Sequence, residues 1–203
     1  MELLDISLVC LIAFVTAGIT GITGVAGGLL PAVFLTPIIG ITSVMPVLAI
    51  MLLFGSVSRA WINRADFHRD AFRRIAKSCE IKTSRSMLSG VGGVFGFLAG
   101  SATGPGLLLV PFMLGYGLSR TSFVATLAVI AALTHIARAA TFGSIGLIGQ
   151  EILILGLIGG AATIPGNLLG KIILKKMTNH NHEILVDLMA FGGGVNFLYL
   201  ALV

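Results

Sequence analysis

The chain has 203 residues, of which 56% are hydrophobic and only 10% charged, with a formal net charge of +5. From Ile6 to Ser58 there is no charged side chain, a run far too long for one span of about 20 residues. That excludes a soluble globular domain and a singly anchored one, and predicts an all-α polytopic membrane protein. Cys10 and Cys79 stand at unrelated positions and form neither a disulfide framework nor a metal pattern. No cofactor is implied. The opening MELLD lacks the basic start of a secretory signal, so the first apolar segment is expected to be retained.

In chain order, Ile6–Thr23 is the first apolar segment, with Ala17, Gly18 and Gly21 as small residues suited to close helix contact. GVAGGLLP, from Gly24 to Pro31, then interrupts the helix, and Leu29–Ile39 and Thr42–Ile62 follow. The stretch from Arg59 to Arg85 carries eight basic residues against Asp66, Asp70 and Glu80. Phe67, Ala71, Phe72 and Ile75 recur there at helical spacing, which predicts a short amphipathic helix on the headgroup surface with Asp66 as its N-cap. A nucleic-acid partner is much less well supported by so short a basic run.

A second uncharged run extends from Ser86 to Ser119. It holds Met87–Thr103, the stretch GSATGPGLLLVP from Gly100 to Pro111, and Leu107–Leu118. Thr121–Phe142 and Ile152–Leu174 follow. Gly156, Gly159, Gly160, Gly166 and Gly170 give the latter a helix-packing face. The polar NHNHE, with His180 and His182, reads as a solvated turn before a last segment, Ile184–Val203.

Placing Gly28 on Gly106 superposes Leu29-Leu30 on Leu107-Leu108 and Phe34 on Phe112. After a slip of one residue, Arg59-Ala60 falls on Arg138-Ala139. The chain therefore reads as two glycine-broken helical repeats: residues 1–65 as a shortened first repeat, 66–85 as a basic amphipathic cytoplasmic loop, and 86–203 as the second repeat. If each repeat makes three passages and the N-terminus is outside, every basic residue except Arg138 falls inside. Counting each broken pair as one passage leaves only nine inside. The positive-inside rule favours the first arrangement, which makes the repeats inverted. Leu29–Ile39, at about 16 Å of helix, is too short to span, so the glycine junction must dip into the bilayer.

Restarted helices aim unpaired N–H groups and a positive dipole end at whatever the junction encloses, which suits an anion. The candidate substrate-binding residues are thus Gly27, Gly28, Gly104 and Gly106 at the two junctions. Thr126, Thr134, His135 and Arg138 in the following segment join them, His135 and Arg138 lying three apart on one helix face. Arg59 reads as a positive-inside residue at the interface. Glu151 and Asp187 lie near segment ends, so no carboxylate remains mid-membrane to relay cations or protons. No nucleophile–base pair, carboxylate pair or metal cluster is visible, which disfavours an intramembrane enzyme.

The glycine run ending in LLLVP, Val124-Ala125-Thr126, and the glycine-spaced segment from Gly156 to Lys176 together resemble the signature of the sulfite exporter TauE/SafE family. The resemblance covers most of the chain. It implies an inner-membrane permease or exporter, of bacterial type, for sulfur-containing or related organic anions, with the lipid bilayer and a small anion as its partners. The first repeat departs from the family pattern. It keeps GVAGGLLP and lacks the two helices that should follow, since Arg59–Arg85 runs directly into the second repeat. The alternative is therefore a non-transporting remnant or an assembly subunit that needs a partner chain, with homo-oligomerisation left open.

Overall fold

The computed structural model describes residues 3–25, 27–67, 69 and 119–202. The described residues form α-helices, with one 3₁₀ turn and no strand among them. They are α1 (Leu3–Thr23), α2 (Leu29–Ile39), α3 (Ile41–Ile62), α4 (Arg120–Ser144), α5 (Gln150–Lys176) and α6 (Asn179–Leu202), with the 3₁₀ turn Arg64–Asp66 after α3. α1, α3, α4 and α5 are each long and apolar enough to cross a bilayer, which makes this an integral membrane protein. The second glycine stretch and the amphipathic loop expected beyond Arg69 lie outside the described residues.

Local chemistry explains the boundaries. α1 stops at Thr23 because Gly24 takes φ +76°, a left-handed conformation that closes a helix, and its N–H returns to the Thr20 carbonyl at 2.8 Å. α2 and α3 meet at a single residue, Gly40, whose φ is +80°. α4 begins one residue earlier than expected because the Ser119 hydroxyl accepts from the Ser122 N–H. α6 begins five residues earlier than the last segment was expected to, at Asn179, because the Thr178 hydroxyl accepts the Asn181 N–H at 3.2 Å.

α5 is the centre of the packing, and its glycines face two partners. Gly156, Gly159 and Gly160 receive Ile50, Met51 and Phe54 of α3. Gly166 and Gly170 lie against the backbone of Phe14, Gly18 and Gly21 in α1. The small residues let backbones approach where apolar burial gives no drive, since lipid is equally apolar. Residue numbers rise together along both contacts, so α1, α3 and α5 run parallel. The chain must therefore recross between α1 and α3, and α2 makes that return. Its Leu35 is fully buried with Val9 and Ala13 near the start of α1 and Val47, Leu48 and Met51 of α3.

α4 runs the other way. Arg120 at its start donates to the Leu174 and Lys175 carbonyls at the end of α5 (3.1 and 3.4 Å) and to Asn179 Oδ1 (2.7 Å). Lys171 similarly donates to the Ile62 carbonyl at the end of α3. Each cation meets the negative end of a neighbouring helix dipole. Arg64, Arg120, Lys171, Lys175 and Lys176 thus gather at one end of the bundle. Exposed Trp61, with the Arg64 guanidinium 4.5 Å above its ring, sits at the same end, as interfacial aromatics do.

Candidate functional site

The site builds from the end of α1. Thr20 is buried, and its carbonyl accepts both the Gly24 N–H and Nη1 of Arg59, the latter at 3.3 Å. Its methyl group abuts Gly27, where a β-carbon would stand 2.9 Å from it. Gly24 in turn packs on Val124 and Leu127 of α4. The junction between α1 and α2 is thereby clamped between α3 and α4. α2 starts without a side-chain cap: Gly28 precedes it at φ −97°, and Pro31 lies in its first turn. The N–H groups of Leu29 and Leu30 are consequently among those an α-helix leaves unbonded.

Arg59, in the last turn of α3, points into the bundle: it is 5% exposed, and its Nε–H has no acceptor among the described residues. A basic residue one turn from a helix end ordinarily snorkels to water. Arg59 turns inward because α1 ends beside it and offers the Thr20 carbonyl. Arg138 of α4 is also buried, and both guanidiniums lie within electrostatic range of the half-buried His135. The His135 Nδ1 is buried with no hydrogen-bond partner among the described residues. His135 and Arg138 are thus joined by a residue that local pattern alone did not select. The signal that pointed to it was the superposition of Arg59 on Arg138. Among the described residues no carboxylate is buried, so the interior carries positive charge from two helices without a buried acid.

Of the other expected residues, Gly27 and Gly28 lie at the junction, Gly28 buried and Gly27 half-buried. Thr126 is fully buried, but its hydroxyl donates to the Ser122 carbonyl at 2.7 Å, and Thr134 donates to Ile130 at 3.0 Å. Both hydroxyl protons are engaged by their own helix, leaving only lone pairs, which an anion does not seek. Gly104 and Gly106 lie outside the described residues.

His182 corrects the sequence reading. It is 1% exposed rather than solvated, with Nε2 3.1 Å from the Ile22 carbonyl and its ring edge-on to Phe123 at 5.7 Å. Burial, and secondarily the charge of Arg120, hold its pKa below the usual histidine range, against the Ile22 hydrogen bond and Glu183. His180, two residues earlier, is exposed. Among the described residues no three potential metal ligands come together. No protein-family model, no curated protein and no solved structure matches this chain.

Proposed function

We propose that this protein is a secondary transporter of small anions, with its site at the junction of α1 and α2 facing α3 and α4. The observation that carries the reading is the burial of Arg59 and Arg138 around His135, with no buried carboxylate among the described residues. Removing a guanidinium from water costs several kcal/mol unless a counter-charge compensates it, and buried charges in spanning helices mark ligand pathways more often than struts. A transported anion would compensate the Arg59 guanidinium, whose Nε–H has no acceptor among the described residues. The uncapped start of α2 adds N–H donors of the same sign.

The resemblance of Gly100–Pro111 to the sulfite exporter signature supports sulfur-containing or organic anions as substrates, and a bacterial-type inner membrane as the location. The second glycine stretch would supply the other half of the site, as inverted repeats do in transporters. The basic end of the bundle faces the cytoplasm under the positive-inside rule.

Proteoliposomes holding only this chain test the reading. Labelled sulfite, sulfate or a small sulfonate should accumulate against unlabelled anion inside, and Arg138→Gln should lower the rate at least tenfold in correctly folded protein. No flux with any of these anions would overturn the transporter reading. Flux restored only by adding a second subunit would favour the assembly-subunit alternative.

A further inference from the structure

We infer that Arg59 anchors the transported anion, and does so through the guanidinium edge that carries Nε; this rests on the anion-transporter reading above. A guanidinium has five N–H groups on fixed edges and cannot be neutralised at any ordinary pH. One edge is committed, because Nη1 donates to the Thr20 carbonyl 39 residues back along the chain. Nε–H lies on the opposite edge, is buried, and has no acceptor among the described residues. Leaving a charged donor buried and unpaired is expensive, and native interiors rarely tolerate it without a ligand or a reason.

The surroundings say what would pair with it. Thr20, whose carbonyl accepts from Arg59, also touches Gly27 through its methyl group, so one residue links the guanidinium to the junction that precedes α2. Arg138 adds positive charge from the α4 side, and its guanidinium, like that of Arg59, lies within electrostatic range of His135. All of these donors or charges favour the same ligand sign. The Nε edge presents two parallel N–H groups, a geometry that matches two oxygens on one atom and not a single spherical ion. Arg59 therefore does two jobs at once: it ties the end of α1 to α3, and it selects an oxyanion over a halide. An anion bound there would join α3 directly to the junction that separates α1 from α2.

The test uses the full-length protein in lipid nanodiscs, with sulfate and chloride as probes. Arg59→Lys keeps the charge and can still reach the Thr20 carbonyl, but an ammonium is a point donor without a two-pronged edge. It should remain monodisperse and melt within a few degrees of the wild type, bind sulfate at least tenfold more weakly, and lose the preference for sulfate over chloride. Arg59→Gln should bind neither. If Arg59→Lys binds sulfate with wild-type affinity and selectivity, Arg59 is only a strut between α1 and α3, and the inference falls while the transporter reading stands. It falls equally if neither variant folds, since Arg59 is then a structural requirement. A wild type that binds no anion overturns both.

Discussion

Gly170 of α5 lies so close to Gly18 of α1 that a β-carbon on it would stand 2.6 Å from the Gly18 carbonyl oxygen. The atom in the way is backbone, so nothing nearby can swing aside. Gly170→Ala should therefore push the two helices apart at a cost of about 1–3 kcal/mol, and Gly166→Ala, which meets the Phe14 carbonyl, should behave alike. At Gly192 of α6 a β-carbon meets nothing within 4 Å, so Gly192→Ala should be neutral or stabilise by about 0.5–1 kcal/mol through helix propensity. Thermal midpoints of the three variants in one detergent check the ranking. Equal effects at Gly170 and Gly192 would mean that α1 and α5 do not pack as described.

Asn167 forms the polar counterpart of that contact, on the α3 side of the same helix. Its Nδ2 donates to the Gly55 carbonyl and to Ser58 Oγ, both at 2.8 Å, while the Ser58 hydroxyl donates back to the Gly55 carbonyl at 3.0 Å. Interhelical hydrogen bonds in membranes contribute about 0.6 kcal/mol on average. Asn167→Ala removes two and should cost about 1–2 kcal/mol on that basis. A double-mutant cycle with Ser58→Ala should return a coupling near 0.6 kcal/mol. Zero coupling would remove Ser58 from the network.

Much of this packing was legible beforehand. The glycine spacing of α5 announced a contact face, and apolar runs bounded by glycine placed α1 to α5 to within two or three residues, with Leu29–Ile39 matched at both ends. What the pattern did not announce was the direction of Arg59 and His182. Each sits near a helix end with water within reach of its side chain, so local sequence favours the solvated conformer. Each turns inward because a different helix, α1, exposes a carbonyl there, Thr20 for one and Ile22 for the other. Acceptors supplied from 39 and 160 residues away leave no mark on local periodicity. The early start of α6 was legible in principle, since Thr178 precedes Asn181 at capping distance.

The parallel run of α1, α3 and α5 fixes which termini share a side. A reporter inserted after Arg64 and one fused after Lys176 should face the same compartment, because Lys171 bonds the Ile62 carbonyl. A reporter at Gly146, between α4 and α5, should face the opposite one. The positive-inside rule makes the first pair cytoplasmic. Opposite readings from Arg64 and Lys176 would contradict the parallel packing of α3 and α5.

His182 gives the basic end of the bundle an acid-sensitive contact. Burial holds its pKa below the unfolded value of about 6.5, with the charge of Arg120 acting the same way. Above that value the ring is neutral in both states and contributes no pH dependence. As pH falls below about 6.5 the unfolded chain takes up a proton that the folded chain refuses, so stability declines until the folded-state pKa is reached. Thermal midpoints between about pH 7.5 and 5 should thus fall with acidification. His182→Gln keeps a side-chain donor for the Ile22 carbonyl but does not titrate, so its midpoints should fall less steeply over the same range. The variant also loses the edge contact with Phe123, which lowers its midpoint at every pH without changing the slope. Identical slopes for wild type and His182→Gln would show that His182 exchanges its proton as freely folded as unfolded.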